Sequence, residues 1–183
     1  MPVIISMLRG VNVGGHNMIK MDALRALYES LGLRDAQTYV QSGNVVFKTQ
    51  ARDLALISKE IEDGIERGFG FRPSVIVRTS SELRDVIARN PFAKRDGIEP
   101  SKLLVTFLAG DPEPEASAKL LGIKVGPEEL RIDGRELYIH FPDGMGRSKL
   151  WPLIEKALKT PCTGRNWNTV TKLVEMAEAL ERS

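Results

Sequence analysis

Read for the periodicity of its apolar residues, this 183-residue chain runs through one order of elements twice, which constrains the fold more than any single motif. In the first half, Val3–Leu8 is a continuous apolar run of strand character. Met21, Leu24, Leu27, Tyr28 and Leu31 then recur at helical spacing, with Gly32 placed to end the helix. Residues 37–41 and 44–48 flank Ser42-Gly43 as a hairpin, Leu54, Ile57, Ile61 and Ile65 make a second helical stripe, and residues 74–78 read as a strand. Thr79-Ser80-Ser81-Glu82 has the spacing of a capping box and predicts a further helix through Leu83, Val86 and Ile87, stopped by Asn90-Pro91. After a polar stretch with Gly97 and Pro100 the order returns. Residues 102–109 form a strand and 116–121 a short helix, and 129–132 and 136–141 form a hairpin about Asp133-Gly134. A helix follows on Leu150, Leu153, Ile154, Ala157 and Leu158, then a short extended piece at 162–165 and a last helix on Val170, Leu173, Val174, Ala177 and Leu180. The fold class expected is α+β, with two ferredoxin-like (βαββαβ) subdomains of mainly antiparallel sheet and helices on one face. The boundaries expected are 1–92, a linker at 93–101, and 102–183 with the C-terminal helix.

Composition excludes several classes. A hydrophobic content of 42% with 27% charged residues is that of a globular chain and not of a disordered one. Twenty-six basic against 24 acidic residues leave a net charge of +2, too little for a strongly basic nucleic-acid binder. The single cysteine, Cys162, cannot form an internal disulfide, and with only two histidines no zinc spacing exists, so a reducing, cytoplasmic setting and no metal are expected. The apolar start stops at Arg9, too short for a secretory core or a membrane span. No cofactor is indicated.

In a split βαββαβ sheet the loops sort by edge. The loop at 9–20 and the turn at 41–44 leave one edge in the first half, and the loop at 142–148 and the segment 165–168 leave one edge in the second. The central strands are apolar at nearly every position, so the face without helices must be covered. The sheet of the other half, or a second copy of the chain in a homo-oligomer, would do so. Exposed central aromatics, the mark of an RNA-recognition sheet, are absent.

Four segments could carry chemistry. In residues 9–17, Arg9, Asn12, Gly14 and Gly15 sit in a glycine-rich strand-to-helix loop, which either cradles an anion or uses glycine and asparagine for its turns. It has neither the Gly-Lys-Ser/Thr phosphate-binding loop nor the Gly-x-Gly-x-x-Gly spacing. Ser42 and Asn44 flank the hairpin glycine, with no nucleophile elbow around Ser42. Ser148 is a natural helix cap between Arg147 and Lys149, two cations at a helix end whose partial charge is already positive, so an anion or carboxylate should answer them. Arg165, Asn166, Trp167 and Asn168 precede the last helix, with Asn168 or Thr169 as its expected cap and Trp167 as either core or a stacking face for a base. Residues 141–172 hold six cations against two anions, the chain's one concentrated positive field. His16, His140, Asp143 and Cys162 are the available proton or electron-pair carriers, and none forms a known catalytic pairing by spacing.

Taken together, the segments Leu8-Arg9-Gly10-Val11-Asn12-Val13-Gly14-Gly15, Gln41-Ser42-Gly43-Asn44-Val45, Gly146-Arg147-Ser148-Lys149-Leu150 and Arg165-Asn166-Trp167-Asn168-Thr169 resemble the bacterial family called domain of unknown function 1697. The resemblance covers essentially the whole chain and implies a pair of ferredoxin-like subdomains, with no established activity or cofactor. His16 and Cys162 lie outside its motif positions.

The function these residues point to first is binding of a phosphorylated small molecule, such as a nucleotide, or of single-stranded nucleic acid, at the Gly/Asn/Arg-rich loops. Two alternatives stand beside it: a small transferase or hydrolase acting on a phosphorylated metabolite through His16, Asp143 or Cys162, and a protein-interaction module.

Overall fold

The computed structural model describes residues 1–183 and shows a mixed α+β chain with two four-stranded antiparallel sheets and six helices. Contacts divide it into two compact units, Met1–Asp85 with Lys172–Ser183, and Val86–Thr171.

The first unit follows β1 (Val3–Leu8), α1 (Met21–Ser30), β2 (Arg34–Tyr39), β3 (Asn44–Lys48), α2 (Leu54–Phe69) and β4 (Val75–Thr79), with the strands in the order β2-β3-β1-β4. Every residue of β1 is buried, as its unbroken apolar run requires. Ile4, Leu8, Val45 and Phe47 pack with Leu24, Tyr28, Ile57 and Ile61 of the two helices in one core. Tyr28 sits edge-on to Phe47, ring centroids 5.4 Å apart, and its hydroxyl pairs with Ser6 Oγ at 2.7 Å. Burial drives that phenol well above its usual range, so it stays neutral. The Asp53 carboxylate accepts from the Leu56 amide at the start of α2, and Gly70, at φ 82°, closes its end. The capping box is present at α3 (Ser80–Ala88): Glu82 N–H donates to Thr79 Oγ1 at 3.0 Å and Thr79 N–H to Glu82 Oε2 at 2.9 Å.

The second unit repeats the order with β5 (Leu103–Leu108), α4 (Pro114–Leu121), β6 (Glu129–Asp133), β7 (Glu136–His140), α5 (Leu150–Ala157) and β8 (Cys162–Asn166), the strands lying β6-β7-β5-β8. Leu108, Leu120, Leu137, Ile139, Leu150 and Ile154 form its core on the α4/α5 face. The β6–β7 part of the other face is polar, because cross-strand partners share a side and the register pairs Glu129 with His140, Arg131 with Tyr138 and Asp133 with Glu136, whereas β5 sets the buried Leu103, Val105 and Phe107 on that side.

Residues 86–98 lie against that polar face. Tyr138 Oη donates to the Val86 carbonyl at 2.8 Å, Arg89 bridges Asp133 and Glu136 at 2.9 Å each, Arg95 pairs with Glu129, and the Phe92 ring lies 6.0 Å from the His140 ring. Residues 86–98 thus form a strap tied to the second sheet, in part through Arg95. The last helix, α6 (Trp167–Arg182), crosses the division. Its end belongs to the first unit, where Arg84 pairs with Glu181 at 3.1 Å and Lys48 Nζ donates to Ser183 Oγ at 2.9 Å. No helix is long and apolar enough to cross a membrane.

Candidate functional site

Antiparallel pairing of Met7 with Asn44 brings the loop after β1 to the same edge as the β2–β3 turn. Asn12 makes the joint, its amide donating to the Ile19 carbonyl at 2.9 Å and to the Gln41 carbonyl at 2.8 Å while its Oδ1 accepts from the Ile19 amide at 2.8 Å. All of its side-chain polarity is thus spent on shape. The loop between turns through positive φ at Gly10, Asn12, Gly14, Gly15 and Asn17, and a bridge pairs Val13 with His16. Arg9, Gly14, Gly15 and His16 are exposed on it. Asn44 is buried and donates to the Tyr39 carbonyl at 3.2 Å and to Ser42 Oγ at 2.9 Å. Gly43 is obligatory: at φ 84° its added Cβ would lie 2.7 Å from Leu8 Cβ. Val40, a β-branched residue at φ 50°, carries strain in the same turn. Arg9, Asn12, Gly14, Gly15, Ser42 and Asn44 therefore share one edge, with the two asparagines as its frame.

On the second unit, His140 pairs with Leu103 and Asn166 with Leu104, so the loop at 142–148 and the start of α6 also leave one edge. Here the singled-out side chains are largely absorbed by structure. Ser148 Oγ donates to Glu128 Oε1 at 2.7 Å and accepts from the Leu150 amide at 3.0 Å, so a carboxylate of the chain itself reaches the start of α5. The cap of α6 is Asn166, whose Oδ1 accepts from the Thr169 amide at 3.0 Å, in place of the expected Asn168 or Thr169. Arg165 is 8% exposed and donates to Thr163 Oγ1 at 2.7 Å and to the Gly164 carbonyl at 2.9 Å. Desolvation pulls its guanidinium down to about 10, still charged at neutral pH. Arg147, Lys149 and Asn168 are exposed and Trp167 is half-buried. Cys162 is 2% exposed inside the apolar core, closed to any substrate.

Beside Trp167 opens a cleft of about 290 Å³, with Ile87, Asn90, Phe92 and Arg95 of the strap and Leu103 among its walls. Apart from Trp167 its polar and aromatic groups are absent from the sequence candidates. The available signal was Asn90-Pro91-Phe92, which reads locally as a helix stop.

These features define a mixed α+β protein whose polar loops collect at sheet edges. A family model described as "Protein of unknown function (DUF1697)" matches residues 1–138, and the chain belongs to that family. The match ends before two of the four motifs that carry the resemblance. The solved structure of the conserved bacterial protein SP0830 from Streptococcus pneumoniae is similar over 96% of this chain and 98% of that one, at 21% identity with a TM-score of 0.75, a likeness of fold alone. No curated protein matches the chain.

Proposed function

We propose that the first unit binds a phosphate-bearing ligand, a nucleotide or single-stranded nucleic acid, on the edge formed by residues 9–17 and the β2–β3 turn. The observation that carries this is the Asn12 clamp, three hydrogen bonds that hold an exposed glycine-rich loop in one shape. Fixing such a loop costs about 1–2 kcal/mol per residue in backbone entropy, and a preorganised loop returns that cost when a ligand docks. Arg9 and Lys20 flank it, and residues 9–20 contain no carboxylate, so the local field attracts anions. The exposed backbone at Gly14 and Gly15 lets a phosphate oxygen approach closely.

The finer fold assignment, a ferredoxin-like subdomain in each unit, belongs to the same proposal and is supported by the βαββαβ order and by the shared strand order. So does a cytoplasmic location, supported by the lone cysteine.

Titration with inorganic phosphate, a nucleoside triphosphate and an oligothymidylate, followed by amide NMR over a salt series, tests the binding. Shifts should concentrate at Gly14, Gly15 and His16. Arg9→Ala should weaken oligonucleotide binding severalfold and lower the salt slope by about one, whereas the pair Arg147→Ala and Lys149→Ala should change neither. An unperturbed loop at low salt, or weakening only in the second pair, refutes the assignment.

A further inference from the structure

We propose that the cleft beside Trp167 in the second unit receives a neutral, planar heteroaromatic ring bearing carbonyl oxygens, of the pyrimidine-dione class. Its volume of about 290 Å³ falls just below the range for ligand pockets, roughly 300–1,000 Å³, and suits no more than one ring. Trp167 supplies aromatic surface and Ile87 apolar wall, which favour a flat ligand, while Phe92 and Leu103, 3% and 2% exposed, contribute little open area.

The polar chemistry of the cleft is one-sided. Asn90 Oδ1 accepts from the Phe92 amide at 3.0 Å, which fixes the side chain and identifies its other end as the NH2 group. That NH2 group and the Trp167 indole N–H are both unused within the chain. Four carbonyls on the same walls already accept a backbone bond: those of Ile87, Asn90 and Phe92 take the amides of Asn90, Ala93 and Arg95, and that of Pro100 takes the Leu103 amide. A ligand fitting this lining brings acceptors.

Charge sets the second condition. Arg95 donates to both carboxylate oxygens of Glu129, one at 2.8 Å, and its guanidinium also lies 5.7 Å from the centre of the Phe92 ring. The cation is already answered, so a neutral ring is favoured over an aromatic carboxylate. The strap is anchored by Arg89 and by the Tyr138 hydroxyl, so the cleft exists before the ligand arrives.

The test uses Trp151→Phe as the background, leaving Trp167 as the sole indole, with uridine, cytidine and benzoate as phosphate-free probes, so its result is independent of the anion site on the first unit. Uridine should quench Trp167 emission saturably and shift the Asn90 side-chain NH2 resonances, binding more tightly than cytidine and benzoate. Asn90→Asp keeps the acceptor for the Phe92 amide but removes the donor, and should weaken uridine about tenfold with the unfolding midpoint unchanged. The proposal is overturned by a uridine titration without saturation in either signal, by benzoate binding more tightly than uridine, or by Asn90→Asp binding uridine as the parent does.

Discussion

In the first unit Asn12, aided by the Asn17 amide on the Gly10 carbonyl, clamps the loop after β1 to itself and to the neighbouring turn, and the loop's glycines face solvent. In the second unit the corresponding polarity is divided among Ser148, Asn166 and Arg165, each spent on a local helix start or on the strand beneath it. The element order is the same in both. The difference lies in where hydrogen-bonding capacity goes. A loop held from within by one residue can present its remaining groups to a ligand, whereas capping groups have satisfied their partners before any ligand arrives.

The sharpest way to break this contrast is at the first edge. Gly43→Ala combines a left-handed backbone with a Cβ contact 2.7 Å from Leu8 Cβ and should cost about 3 kcal/mol in a urea unfolding curve. Asn12→Ala removes three bonds, two of them partly buried, from a left-handed residue and should cost about 2 kcal/mol. It should also release the protection of the Ile19 amide against hydrogen exchange. On the second edge, Ser148→Ala and Asn166→Ala should each cost only about 1 kcal/mol, the ordinary loss of a helix-start bond, with loop exchange unchanged. If Asn12→Ala proved as mild as these caps, the clamp would not be what holds the loop.

What was legible in the sequence followed from local periodicity. The helical stripes, the Asp133-Gly134 hairpin, the Thr79/Glu82 box and the strand runs read correctly because each depends on neighbours a few residues away, except that the strand expected at 37–41 lies at Arg34–Tyr39. The clamp was not legible, since Asn12 finds Gln41 at a separation of 29 residues and nothing nearby marks that carbonyl as its target. The strap escaped for the same reason. Arg89 at a helix end and Arg95 in the expected linker carry no local mark of their partners, Glu136 and Glu129, which lie 47 and 34 residues away. Which asparagine caps α6 is a question of phase: with Asn166 and Asn168 both available, the end of β8 decides it.

The smallest predicted effect separates the two regions by pH. The Arg95 hydrogen bond, against some opposing desolvation, holds the Glu129 carboxyl below its usual range. A carboxyl with a depressed folded pKa stabilises the folded form fully above its unfolded value, and that contribution is lost as pH falls through the folded one. Acidification below the ordinary glutamate range should therefore loosen the strap. Amide exchange at 92–95 should rise while the β5 amides stay protected. The Asn12 clamp contains no titratable group, so exchange at Ile19 should follow only the intrinsic pH dependence over the same interval. Glu129→Gln should remove the acid-dependent step in the strap and leave Ile19 untouched. Equal responses at the two places would mean that both report a common opening and not two separately held segments.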